Sequence, residues 1–266
     1  MNPGQFPLDQ YLDRVGLAAS ASPTEDFLAD IQRAQVTHLP FENFDICLGR
    51  GVDVSADAIV RKLVHQPRGG YCFELNGLLL MALHACGFRA RAILARVHLS
   101  GTPTGRSHQL ALVSLGKQQW LVDTGFGANT PRAPIRLEPG LTQQHGDQSL
   151  RLLEDPQFGV MLQSQLDGQW VDLYSSDLST VCAGDIQIAN HFTSTWPGLH
   201  FTTSRMASLV TQEGLVTLSN FNLREHRHGI LHESTVAAGE DYLSALSQHF
   251  GIELDAEYEA LAPLQP

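Results

Sequence analysis

The apolar residues of this chain change their spacing near Gly87, and that change limits the folds open to it. Up to Phe88 they recur at helical intervals; from Arg89 the period drops to two. Leu8, Tyr11, Leu12, Val15 and Leu17 mark a first helix after Phe6-Pro7. A second begins at Thr24 behind Pro23, with acidic residues in its first turn, and Ile31 and Val36 continue its apolar face. Pro40 to Asp45 reads as a loop, and Ala56 to Val64 as a short helix capped by Ser55. Leu78, Leu79, Leu80, Met81 and Leu83 then form an apolar helix that Gly87 ends.

Beyond Arg89 the pattern predicts strands over Ala90–Leu99 and His108–Leu115, and another from Trp120 after the turn at 116–119. Shorter ones follow over Ser149–Glu154, Gly159–Leu166 and Trp170–Tyr174. The last third is mixed: a helix over 185–195, a hairpin over 208–218 and a closing helix over 242–251. Helices, then strands, then a mixed segment make an α+β chain with an antiparallel, sandwich- or barrel-like centre. No βαβ rhythm, P-loop or strand-borne G-x-G-x-x-G occurs, which argues against a dinucleotide or NTP enzyme.

The sharpest motif is Arg68-Gly69-Gly70-Tyr71-Cys72-Phe73-Glu74-Leu75-Asn76-Gly77. Pro67 and the two glycines break what precedes them, so Cys72 falls at a helix start. There the free backbone N–H groups and the helix dipole activate a thiol as a nucleophile. An inert buried cysteine is the plain alternative, but it leaves the glycines and Arg68 without a purpose. Such a thiol needs a base, and the base needs a group that holds its tautomer. His108 and Asp123 lie on successive strands. With an even number of loop residues between the strands, opposed positions sum to an odd number, and 108 + 123 = 231 puts both on one face. His65, His84 and His98 are rival bases: His84 sits three turns beyond Cys72, and His65 precedes Pro67 with nothing acidic after it. A carboxylate among Trp120, Leu121, Val122 and Phe126 calls for a partner. Asp123-Thr124-Gly125-Phe126-Gly127 could bring backbone N–H groups to a ligand, or be a plain strand-ending turn.

Composition trims the function classes. A net charge of −11 over 266 residues gives no footprint for nucleic acid or anionic lipid. The N-terminus MNPGQFPLDQYLDRVG has no apolar core behind basic residues, and no apolar run could span a bilayer, so a cytoplasmic protein is expected. Cys47, Cys72, Cys86 and Cys182 form no C-x-x-C pair, which speaks against a disulfide framework and against zinc. His226-Arg227-His228 reads as an exposed polar turn, and no metal is expected.

These motifs together resemble the arylamine N-acetyltransferases. His38-Leu39-Pro40-Phe41-Glu42-Asn43, the Cys72 motif, His108 at a strand start and Val122-Asp123-Thr124-Gly125-Phe126-Gly127 match in order, with a fainter match from Asn190-His191-Phe192 to Phe201. The resemblance covers roughly residues 5–205. It implies a helical bundle (1–88), a β-barrel (89–190) and an α/β lid (191–266), around a core like that of papain-like and transglutaminase enzymes. It implies Cys72, His108 and Asp123 as a catalytic triad, acetyl-CoA as donor, and aromatic amines, hydrazines or N-hydroxyarylamines as acceptors. Phe126, Gly125 and Gly127, with Phe41 and Phe201, are the expected substrate-binding residues, and Glu42 and Arg68 are expected to pair beneath the site. Thr124, where many relatives carry valine, and Trp196, where histidine is frequent, depart from the pattern. The same triad would serve a cysteine hydrolase, either an amidase or peptidase or a transglutaminase-like enzyme, and a non-catalytic binding domain is the remaining rival.

Overall fold

The computed structural model describes residues 6–20, 22–262 and 264; residues 1–5, which carry part of the expectation about a leader, lie outside it, as do 21, 263, 265 and 266. Its helices begin and end where local chemistry stops them. Helix α1 (Leu8–Val15) ends on Gly16 in the left-handed region. Helix α2 (Glu25–His38) is capped by the Thr24 hydroxyl, which accepts from the Phe27 N–H. The expected loop at 40–45 contributes a short strand, β1 (Phe41–Glu42), and one helical turn, α3 (Phe44–Cys47). Ser55 caps α4 (Ala56–Leu63), and α5 (Cys72–Ala85) stops two residues before Gly87. Leu75, Leu78, Leu79 and Leu83 of α5 are all fully buried. A helix apolar on every side must be enclosed, and α5 lies between the other helices and the sheet that follows.

That sheet comprises β2 (Arg89–Val97), β3 (Arg106–Leu115), β4 (Gln118–Val122), β5 (Ile135–Arg136), β6 (Thr142–His145), β7 (Gln148–Asp155), β8 (Gly159–Leu166) and β9 (Gln169–Ser176). They run antiparallel in the order β5-β4-β3-β2-β9-β8-β7-β6. Gln143 on β6 links the two free edges: its Oε1 accepts from Arg136 N at 2.8 Å and its Nε2 donates to Arg136 O at 3.0 Å. The result is a nearly closed barrel filled by Ile93, Leu110, Leu112, Leu121, Leu150, Leu152, Leu162 and Leu173. Ala111, Val113, Trp120 and Val122 point the other way, against Phe27, Leu28 and Ile31 of α2 and Leu79 and Leu83 of α5. Both faces of β3 are therefore covered, and residues 108–113 are buried without interruption.

The remaining elements are α6 (Ala183–Thr195), α7 (His200–Thr203), β10 (Met206–Val210), β11 (Gly214–Ser219), β12 (Asn222–Arg227), β13 (Ile230–Thr235) and α8 (Glu240–Phe250). Strands β1 and β10–β13 form a second antiparallel sheet, which α8 covers through Tyr242, Leu246 and Phe250. The hairpin β12–β13 escapes the sequence pattern because β13 is an edge strand with all six residues exposed, and no buried face imposes alternation on it. The turn expected at 226–228 is correspondingly displaced: His226 and Arg227 are in β12, and His228 and Gly229 make the turn. The barrel strands end at Ser176, and α6 runs unbroken across the expected boundary at 190/191. Among the described residues, no helix is long and apolar enough to cross a membrane.

Candidate active site

The loop before Cys72 is pinned by close backbone contact. A Cβ on Gly69 would lie 1.9 Å from the Pro40 carbonyl oxygen, so only glycine fits there. Gly70 N donates to Pro40 O, and Glu42 N donates back to Gly70 O at 2.9 Å, which sews the loop to β1. Tyr71 N donates to Glu74 Oε2 at 3.1 Å and caps α5. Beneath lies a charged cluster. Arg68 Nε donates to Glu42 Oε1 at 2.9 Å and its Nη2 to Asp45 Oδ1 at 3.0 Å, while Lys62 Nζ reaches Asp45 at 2.6 Å and Glu74 at 2.8 Å. Burial acts to raise the pKa of Asp45, but Lys62 and Arg68 outweigh it and hold the group below its usual range. For Glu74 burial prevails over Lys62, and its pKa rises.

Cys72 is the first residue of α5, and its Sγ lies 3.9 Å from Ser107 O, beside His108 in sequence. His108 and Asp123 are each about 2% exposed or less, and His108 Nε2 lies 2.7 Å from Asp123 Oδ2. That contact leaves Nδ1 as the ring nitrogen for Cys72. Burial opposes a charge on His108, but the Asp123 carboxylate and the Cys72 contact overcome it and push the pKa up to about 10. Burial likewise opposes the Asp123 charge; His108, Asn76 and the Gly125 N–H outweigh it and hold the carboxyl below its usual range. The two groups are thus a buried ion pair across neutral pH.

The other candidates fall into two groups. Phe126 lies edge-on to His108 at 4.8 Å and to Tyr174 at 4.9 Å, beside the barrel. Phe41 and Phe201 pack together at 6.2 Å, and Phe201 reaches Tyr71 at 5.7 Å. Gly125 approaches α5 so closely that a Cβ would sit 2.7 Å from Cys72 Cα, and its N–H is engaged by Asp123 Oδ1 at 2.9 Å. Gly127 has φ +61° and faces Phe41. The rival bases lie elsewhere: His84 binds Ala90 O and His98 binds Ser175 Oγ, both at 2.8 Å. Trp196 is exposed at the end of α6, 5.3 Å from Phe192.

Sequence reasoning misses Tyr174, whose ring lies 5.1 Å from His108, and the amides of Gln32, Gln35 and Asn76 around Asp123. Their signal is a polar residue in an otherwise apolar face; Asn76 follows Cys72 by four residues on a helix of leucines. Among the described residues, no group of three His, Cys, Asp or Glu side chains could hold a metal ion.

The sequence profile of the N-acetyltransferase family matches residues 25–258. An arylamine N-acetyltransferase of Mycobacterium tuberculosis is 35% identical over 254 residues, covering 93% of this chain and 89% of its own. The arylamine N-acetyltransferase / N-hydroxyarylamine O-acetyltransferase of Salmonella typhimurium is 33% identical over 249 residues, covering 92% and 88%. The solved structure of Mycobacterium marinum arylamine N-acetyltransferase in complex with CoA is 35% identical and superposes with a TM-score of 0.89 over 95% of this chain and 96% of that one. With the profile and these full-length matches, this chain belongs to the arylamine N-acetyltransferase family.

Proposed function

We propose that the chain moves an acetyl group from acetyl-CoA, through a thioester on Cys72, to aromatic amines, hydrazines or N-hydroxyarylamines. The observation that carries this reading is the buried alignment of Cys72, His108 and Asp123, with imidazole and carboxylate 2.7 Å apart. In the resting site the thiol proton is already on His108 Nδ1, and Cys72 Sγ attacks the thioester carbonyl. Asp123, on Nε2, holds the ring orientation and balances the imidazolium. Backbone N–H groups at the start of α5 stabilise the tetrahedral oxyanion, an effect worth about 3 kcal/mol. The CoA thiol leaves with a proton from His108. The amine then attacks the acetyl-cysteine, gives its proton to His108, and the cycle is ping-pong.

In this reading residues 1–88 supply the nucleophile, 89–190 the base and carboxylate, and 191–266 a lid, on a core of the cysteine-protease and transglutaminase kind. Phe126 is the apolar wall for an aryl ring, with Phe41 and Phe201 as secondary contributors. The buried thiol favours transfer to an amine over hydrolysis, because water must be kept from the thioester. The four free cysteines suit the reducing cytoplasm.

Incubation with acetyl-CoA is expected to add one acetyl group to the Cys72 peptide, and an aromatic amine to discharge it. The absence of that adduct, or transfer that survives Cys72→Ala, overturns the proposal.

A further inference from the structure

Two glutamines one turn apart on α2 are completely buried, and both reach the segment that carries Asp123. Gln32 Nε2 donates to the Asp123 backbone carbonyl at 3.0 Å and to Pro131 O at 2.7 Å. Gln35 Nε2 donates to Leu75 O at 2.9 Å and to the Thr124 hydroxyl at 2.7 Å. The Gln35 amide has its direction set from behind, since Tyr11 OH donates to its Oε1 at 3.0 Å. A hydroxyl that accepts from Gln35 is left to donate onward, and Asn76 Oδ1 lies 3.3 Å from it. Thr124 N donates to the same oxygen at 3.0 Å. With Oδ1 held by two donors, Asn76 must turn its Nδ2 to Gln109 O at 2.7 Å and to Asp123 Oδ1 at 2.9 Å. Flipping Asn76 would set an amide oxygen against a buried carboxylate.

We propose that Gln35 and Thr124 are positioning residues for the reaction: they fix the direction of the Asn76 amide, and through it the Asp123 carboxylate that orients His108. The inference rests on the triad reading above. It assigns a purpose to threonine at 124, one of the two departures from the family pattern, because valine could neither accept from Gln35 nor donate to Asn76. No part of the relay touches substrate, and every bond in it is between buried groups with one allowed polarity.

The test compares Thr124→Val, Thr124→Ser and Gln35→Met, each checked for a native circular dichroism spectrum. Two quantities are read: the rate of Cys72 acetylation at saturating acetyl-CoA, and the solvent exchange of the His108 Nε2 proton by NMR. In Thr124→Val and Gln35→Met acetylation is expected to slow about tenfold, as when a partner orienting a site ligand is removed. KM for acetyl-CoA stays unchanged and the Nε2 proton exchanges faster. Thr124→Ser restores both. A folded Thr124→Val with native rate and native proton exchange overturns the inference, as does a Thr124→Ser variant impaired as badly as Thr124→Val. If Thr124→Val does not fold, Gln35→Met decides by the same two measurements. If the unmodified protein takes up no acetyl group, the proposed function fails, and proton exchange alone then judges the relay; equal exchange in both proteins overturns it.

Discussion

Asp123 receives three hydrogen bonds on two oxygens, and the division between them sets its chemistry. Oδ1 is occupied by Asn76 and Gly125 N, so Oδ2 alone meets His108. Asp123→Asn would present an amide N–H to His108 Nε2 or leave that nitrogen without its acceptor, and either outcome favours the wrong tautomer. We expect kcat to fall roughly ten-thousandfold, the scale for this change in a comparable triad. We also expect a loss of stability of about 3–5 kcal/mol, from breaking a buried ion pair. Single-turnover acetylation well below the melting transition checks the first, and urea titration the second. A variant with near-native turnover would remove Asp123 from the mechanism. Parity put His108 and Asp123 on one face but not in contact: Ala111 pairs with Val122 across a two-residue turn, so the two share that face on a diagonal, and the fold joins them. Tyr174 was not legible, because its strand joins β2 from a distance in sequence that no local period encodes.

At the scale of elements, the site is a junction between the first turn of α5 and the end of β4. Gly125 permits that junction by its size, since its backbone is outside the left-handed region. A methyl group at 125 would meet backbone at Cys72, which cannot rotate away. Gly125→Ala should therefore slow Cys72 acetylation about a hundredfold, the cost of an ångström-scale misplacement. Its melting temperature should fall by several degrees, the effect of roughly 1–3 kcal/mol of overpacking in a chain this long. Activity and calorimetry on the same sample decide it: a large thermal shift with unchanged specific activity refutes the junction. Elements enclosed on one or both faces were legible in the sequence: α5 from its leucines, and β8 over the same residues 159–166. Elements too short or too exposed to show a period were not: β1 and β5 are two residues long, and every residue of β13 is exposed.

For the whole molecule, the buried His108–Asp123 pair ties stability to pH. The His108 pKa is higher folded than unfolded, so its contribution is complete below the unfolded value of about 6.5. That contribution is lost as pH rises toward about 10. Asp123 is held low, so its contribution is present above about pH 4, the unfolded value, and is lost as pH falls through the lower folded value. The stability difference between the native protein and His108→Gln should thus be greatest at pH 4–6.5 and shrink steadily toward pH 10. Urea titrations at several pH values measure it; a difference that grows above pH 7 contradicts the pair.

The placement of Cys72 on a helix and of its proposed base, His108, on a later strand also imposes an order in time. During synthesis the thiol is made 36 residues before His108 (108 − 72 = 36) and before the whole barrel whose last strand carries Tyr174. Its base arrives only when β3 pairs with β2 against α5. A nascent chain therefore carries the cysteine without the base proposed for it, and the proposed site is assembled only by completion of the fold.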